Sequence, residues 1–370
     1  MQILPPAHIA AVLSRFGFDP SRFDALRARL LATATPEDLH LIRASVAPPP
    51  PGCAEPLPAQ GTAERRALAA EGAEAIARGE LGSVVLAGGM ATRFGSVVKA
   101  LASLELDDGP DWCFLDAKLR DLKLQQGAVP GAIMTSFATH EGIASWLAAH
   151  GVDDIALAPQ FVSVRLTPEG ELFLDGDGAP SLYATGHGDL PDALHAAGLL
   201  SQWRARGVRT VVLSNVDNVG ATIDPAVFAM HRRGGGRISV ELVEKLPGDR
   251  GGLPVSVDGR LVLAEAFRLP SSFPHESFPL FNTNTLWIDL DAMSLDAPWT
   301  WCVAKKKVDG REAVQFERLV GELTWWHPTR WIHVPRAGAE SRFIPVKDLA
   351  ELERSGAAIR AVIDARLRDP

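Results

Sequence analysis

Cysteine is scarce. Cys53, Cys113 and Cys302 lie far apart, are odd in number and form no C-x-x-C pair, which excludes a disulfide framework, a zinc knuckle and a dithiol redox motif, and fits a reducing compartment. Long apolar runs are also missing. No stretch approaches bilayer-spanning length, and the opening MQILPPAHIAAVLSRF lacks a basic region followed by an apolar stretch and a cleavage site, so a cytoplasmic protein with no membrane partner is expected. Positive charge is in deficit, with 37 Lys and Arg against 45 Asp and Glu. A net charge of −8 gives no general attraction for nucleic acid, so a phosphate ligand has to be held by a local site. The commonest phosphate motifs are absent as well. No G-K-[ST] and no G-x-G-x-x-G occurs, which argues against P-loop kinases and ordinary dinucleotide enzymes. There is no internal repeat. Protein partners are left unknown.

The 370 residues suffice for one large α/β domain with appendages or for two ordinary domains. Residues 1–46 read as short amphipathic helices, and the run Ala47-Pro48-Pro49-Pro50-Pro51-Gly52 breaks them with an extended connector. ERRALAAEGAEAIAR, 64–78, is a helix bracketed by Gly79 and Gly82. Short apolar runs at 83–87, 132–136, 154–158 and 210–214 then alternate with helical stretches at 140–149 and 190–206. This alternation predicts an α/β fold, a mainly parallel sheet with helices on both faces. Antiparallel additions are expected at 164–174 and at 253–265, where Asp258-Gly259 suits a tight hairpin. The organisation read from this is an N-terminal helical region at 1–80, a catalytic domain at 81–300 and a short C-terminal region at 301–370.

The segment VVLAGGMATRFGSVVKA, 84–100, takes a buried strand straight into a glycine loop. Ligands of open α/β sheets bind at the carboxyl ends of strands. Gly88 and Gly89 let backbone N–H groups approach a phosphate, and Arg93 and Lys99 supply charge; the alternative is a plain strand-to-helix turn with solvated cations. Gly186-His187-Gly188-Asp189 offers glycines for backbone contact with a flat base and an imidazole for a phosphate, or else a polar turn in which Asp189 caps the helix starting near Pro191. Asn215-Val216-Asp217-Asn218 ends another strand, where a carboxylate either holds Mg²⁺ against a triphosphate or merely forms a turn. By alternation Asn282 and Asn284 share one face of an extended strand, placed to read sugar hydroxyls or to satisfy edge backbone groups.

The run Gly88-Gly89-Met90-Ala91-Thr92-Arg93-Phe94-Gly95 followed by Lys99 resembles the G-G-x-G-T-x-x-G…P-K signature of the UTP-glucose-1-phosphate uridylyltransferases and UDP-N-acetylhexosamine pyrophosphorylases. Ala91 replaces the third glycine, and the spacer before Lys99 is one residue shorter and lacks the proline. Further similarities follow in order: Ile133-Met134-Thr135-Ser136, Ala158-Pro159-Gln160, G-H-G-D at 186–189 as in the glucose branch, N-x-D-N at 215–218, the stretch ending in Glu265, F-N-T-N at 281–284, Lys306 ahead of Val308-Asp309-Gly310, and R-F-I-P-V-K at 342–347.

The resemblance implies a Rossmann-like, GT-A-like fold and a uridylyltransferase that joins UTP to a hexose 1-phosphate with glucose 1-phosphate favoured and Mg²⁺ as cofactor. It implies catalytic roles for Arg93, Lys99, Asp217 and Lys306, with Asp217 on the metal. Nucleotide contacts fall to Ala87, Gly88, Gly89, Thr92, Gln160, Gly186, His187, Gly188 and Asp189, and sugar contacts to Asn215, Asn218, Glu265, Asn282 and Asn284. The further C-terminal domain carried by most such proteins is not expected here. Two other readings remain open, a GT-A-like glycosyltransferase and a non-catalytic nucleotide-sugar binding protein.

Overall fold

The computed structural model describes residues 6–91, 97–104, 106, 111–274 and 278–368. Its centre is an eight-stranded sheet in the spatial order Glu55–Pro56, Thr329–His333, Ile238–Glu244, Leu280–Asp289, Thr210–Asn215, Leu81–Leu86, Gly131–Thr135 and Ile155–Pro159. The last four of these run parallel to one another, as do the first three. Leu280–Asp289 joins the two groups and is antiparallel to both neighbours. Leu81–Leu86 and Gly131–Thr135 are buried at every position, as expected for parallel strands covered on both faces.

Alternation sorts the side chains. Val84, Leu86, Ala132, Met134, Val211 and Leu213 face the short helices Leu190–Ala196 and Leu199–Ala205 through Leu194 and Trp203. On the other face Leu81 and Val212 meet helices Ala63–Ala77 and Pro225–Arg233. Val85 and Ile133 on that face meet Phe114–Leu124, His140–Ala149 and the C-terminal helix Leu349–Arg366. The expected sheet with helices on both faces is therefore present.

The hairpin Gly252–Val257/Arg260–Glu265 turns at Asp258 and Gly259, both with positive φ (48° and 81°), the geometry of a two-residue primed turn. Val46–Ala47 pairs with Val257 and Ser256, and the proline run, which cannot donate ladder hydrogen bonds, ends that short edge. A second hairpin, Cys302–Val308/Arg311–Glu317, carries Lys306.

Two expectations change. Gly198, at φ 72°, divides the helix foreseen at 190–206 into two. The antiparallel pair foreseen at 164–174 is a folded-over loop joined by single bridges, Leu166 to Leu172 and Leu174 to Pro180, while the nearby ladder is Val162–Val164 with Leu182–Ala184. The sheet takes strands from both sides of the 81–300 segment, at 55–56 and at 329–333.

Candidate active site

Two loops leave neighbouring parallel strands at their carboxyl ends. The first follows Leu81–Leu86. Ala87 N–H donates to the Met134 carbonyl (2.8 Å), and Ser136 Oγ donates to the Gly88 carbonyl (2.8 Å), so the next strand end holds the glycine loop down. A Cβ on Gly88 would sit 3.0 Å from Gln160 Oε1, so a side chain there would press on the Gln160 amide that lies over the backbone. Gly89 faces open space and its carbonyl accepts from Lys99 N–H (3.4 Å). Thr92 and Arg93 lie outside the described residues. Lys99 begins a 3-10 turn, Lys99–Leu101, and its ammonium is ion-paired with Asp217.

The second loop follows Thr210–Asn215. Asn215 Oδ1 accepts from Asn284 Nδ2 (2.8 Å), which ties this loop to the central antiparallel strand. Asn284 has φ 57° and sits beside a register shift between Val240 and Leu242. The two asparagines therefore do not share a face by regular alternation. They meet because Asn282 Oδ1 accepts the Asn284 N–H (3.0 Å) in a kinked strand. Asn218, expected at the sugar, is buried with its amide fully engaged: Nδ2 donates to the Arg342 carbonyl (3.1 Å) and Oδ1 accepts from Ile344 N–H (2.9 Å). It fastens the R-F-I-P-V-K segment under the Asp217 loop, and that segment is fixed in turn by the buried Arg342–Glu241 pair.

A small enclosed cavity is lined by His187, Glu265, Arg268, Asn282 and Asn284. His187 Nδ1 accepts from Val320 N–H (3.0 Å), and burial holds its pKa below the ordinary value, so the neutral ring carries its proton on Nε2. Burial pushes the Glu265 carboxyl up to about 7, with Arg268 opposing and Glu317 reinforcing the shift.

The glycines around His187 are required by packing. A Cβ on Gly186 would lie 2.4 Å from the Arg318 carbonyl oxygen, and one on Gly188 would lie 2.6 Å from the Arg318 carbonyl carbon. They admit the backbone of 317–319. Asp189 likewise is no side-chain cap for its helix. It is fully buried, bonded by Arg318 Nε (2.9 Å) and Phe161 N–H (3.1 Å) and by the Thr185 hydroxyl. These bonds clamp the His187 turn. Lys306 stands on the hairpin face shared with Glu317, 3.7 Å from that carboxylate, and is half exposed. Glu317 also accepts from Gln315.

Sequence reading missed Lys118 and Asp121. Both are buried on helix Phe114–Leu124, in the same stripe as Phe114 and Leu122; two charges inside an apolar i, i+3, i+4 stripe were the available signal. Burial draws Lys118 down to about 8 and pushes Asp121 up to about 6.

Among the described residues there is no cluster of three or more His, Cys, Asp or Glu side chains able to hold an ion. Asp217 is a single carboxylate at the loop tip. That donor set fits a Mg²⁺ ion bound chiefly by phosphates and water, with one carboxylate from the protein. No helix among the described residues is long and apolar enough to cross a membrane.

Known proteins place this geometry. The chain is 28% identical over 263 residues to UTP–glucose-1-phosphate uridylyltransferase 2 of Dictyostelium discoideum, an alignment covering 65% of this chain and 51% of that one. It is 29% identical over 303 residues to the Saccharomyces cerevisiae UTP–glucose-1-phosphate uridylyltransferase, covering 74% and 58%. It thus spans little more than half the length of these relatives.

Among solved structures it is similar to a Trypanosoma brucei uridine diphosphate N-acetylglucosamine pyrophosphorylase (TM-score 0.73, 19% identity, 94% of this chain and 79% of that one). It is also similar to a mutant UDP-glucose pyrophosphorylase from Leishmania major in complex with UDP-glucose (TM-score 0.70, 22% identity, 94% and 78%). At such identities the likeness establishes a shared fold. The model of one family, UTP–glucose-1-phosphate uridylyltransferase, matches residues 53–355, and the chain belongs to that family.

Proposed function

We propose that this protein transfers the uridylyl group of UTP to a hexose 1-phosphate, glucose 1-phosphate in preference to others, releasing pyrophosphate. The observation that carries the reading is the meeting of the Gly88 loop and the Asp217 loop at the carboxyl ends of adjacent parallel strands, joined by the Lys99–Asp217 ion pair. Alone, the two charges neutralise one another. A triphosphate arriving with its Mg²⁺ offers each a new partner, phosphate oxygens for the ammonium and the cation for the carboxylate. The Mg²⁺ supplies charge neutralisation on the phosphates.

The chemistry is a displacement at the α-phosphorus. An oxygen of the sugar phosphate forms the new P–O bond, the bond to the β-phosphate bridging oxygen breaks, and pyrophosphate leaves with the electron pair. The attacking phosphate is already an anion, so no general base is needed. Catalysis then rests on positioning and charge. Lys99 and Arg93 attend the leaving phosphates, and Lys306 attends the sugar phosphate. Gln160, over Gly88, faces the base, and the cavity of His187, Glu265, Asn282 and Asn284 faces the sugar. The three cysteines are free thiols, in keeping with a cytoplasmic enzyme.

The test is purified protein with UTP, Mg²⁺ and a panel of sugar 1-phosphates, following pyrophosphate and product mass. UDP-glucose with equimolar pyrophosphate is expected. Consumption of a UDP-sugar without pyrophosphate chemistry would point to a glycosyltransferase, and binding without turnover to a non-catalytic protein.

A further inference from the structure

Beneath the Asp217 loop lies a buried pair of charges that the proposed reaction does not use. Lys118 is 4% exposed and Asp121 8%, one helical turn apart on Phe114–Leu124. The Lys118 ammonium reaches three acceptors, Ser214 Oγ at 3.2 Å and the carbonyls of Asn218 and Ala221 at 2.7 Å each. An ammonium has three donors, so each has an acceptor. Asp121 Oδ2 accepts the Ile223 N–H at 2.7 Å. One turn of helix therefore grips the loop where it leaves its strand, at its middle and at its end.

Within that span the backbone bonds include Val216 N–H to the Leu86 carbonyl (3.0 Å), Asn218 N–H to the Asn215 carbonyl (3.2 Å), Ala221 N–H to the Asn218 carbonyl (3.1 Å) and Thr222 N–H to the Gly220 carbonyl (3.0 Å), and Arg342 and Arg366 add bonds to the Thr222 and Gly220 carbonyls. Drawing the carbonyls of Asn218 and Ala221 toward Lys118 leaves the Asp217 side chain, which lies between the gripped positions, directed at Lys99. Buried charges are a costly way to fill a core, and apolar residues of similar volume do so equally well. What Lys118 and Asp121 add is a fixed loop geometry.

We propose that Lys118 and Asp121 are positioning residues that hold the Asp217 loop in register with the triphosphate site. The inference rests on the proposed transfer reaction for its kinetic consequence, and on the contacts alone for its structural one.

The experiment compares the parent with Lys118→Met, Asp121→Leu and the double variant by thermal midpoint, pyrophosphate release and amide hydrogen exchange. Lys118 and Asp121 bond separate groups of the loop, so each single variant leaves buried backbone groups unpaired and loses stability, and the double variant loses at least as much. Each variant that stays folded should show turnover lowered by about tenfold or more, a Michaelis constant for UTP within about twofold of the parent, and faster exchange at 216–223 with Leu81–Leu86 unchanged. A folded double variant with parental turnover and parental exchange would reduce the pair to core filling and overturn the proposal. If the Met and Leu variants do not fold, Lys118→Gln, which is shorter and has two N–H donors where the ammonium has three, is read the same way. Its unaltered turnover and exchange would equally overturn the proposal. A parent without transfer activity refutes the reaction, while the exchange comparison still decides the clamp.

Discussion

On the triphosphate side, the Gly88 and Asp217 loops grow from the ends of adjacent parallel strands and their charges meet in a partly exposed pair. On the sugar side, His187, Glu265, Asn282 and Lys306 come from four separate segments, and their environment is built by buried polar clamps such as Asp189 with Arg318. The first side is brought together by topology, which delivers loops to one edge whatever their sequence, and its Asp217 loop is then held from beneath by Lys118 and Asp121. The second is made by close backbone contact and by buried charges with several partners each, as Asp189 has in Arg318, Thr185 and Phe161. Substitutions on the first side should damage chemistry and spare the fold; on the second, several should damage the fold first.

The largest effect belongs to the clamp. Asp189→Ala leaves Arg318 with Asp192 as its one carboxylate among the described residues and strips the Phe161 N–H and the Thr185 hydroxyl of their acceptor, and the cost expected for opening such a buried cluster is about 3 kcal/mol or more, measured by denaturant unfolding. A variant as stable as the parent would remove the contrast between the two sides. Asp217→Ala comes next. It should lower pyrophosphate release by about 100-fold or more, a loss typical of removing one stabilising group at a reacting phosphate, with the thermal midpoint retained. Collapse of the fold would show that this loop, too, is a clamp.

Lys306→Ala is smaller and more selective. The side chain is half exposed beside Glu317, so its removal should raise the Michaelis constant for the sugar phosphate by about tenfold and leave that for UTP nearly unchanged. Equal rises would place it elsewhere.

The last effect is a pH dependence. Glu265 is raised to about 7 from an ordinary 4.5. Between those values the folded chain holds a proton that the unfolded chain releases, so its favourable contribution is complete below about 4.5 and falls as pH rises through about 7. Glu265→Gln removes that decline. The thermal midpoint of the variant should therefore gain on the parent between about pH 5 and about pH 8, and parallel curves would deny the buried carboxyl its shift.

The same contrast explains what could be read from sequence. The strands at 81–86, 131–135, 155–159 and 210–215 were legible because each is a short apolar run ending in glycine or polar residues. Gly88 and Asp217 were each legible at the carboxyl end of a strand, the resemblance supplied the role of Asp217, and the pairing of the two strands brings them together. Asn218 was misplaced at the sugar because an amide at a loop looks available until its partners, Arg342 and Ile344, arrive from more than a hundred residues away. Gly186 and Gly188 were matched to a base for the same reason, since no local pattern announces the Arg318 backbone. Asn284 escaped alternation because a positive φ at one residue rotates the strand. The family resemblance supplied the order of motifs; it did not supply the division between residues that touch substrate and residues that hold those in place.

The most direct test of the central claim is a ³¹P NMR time course of the parent protein with UTP, Mg²⁺ and glucose 1-phosphate. The account predicts that the UTP and glucose 1-phosphate resonances fall together, matched by the two resonances of a diphosphate ester and by pyrophosphate in equal amount. Unchanged UTP, or orthophosphate in place of pyrophosphate, would contradict it.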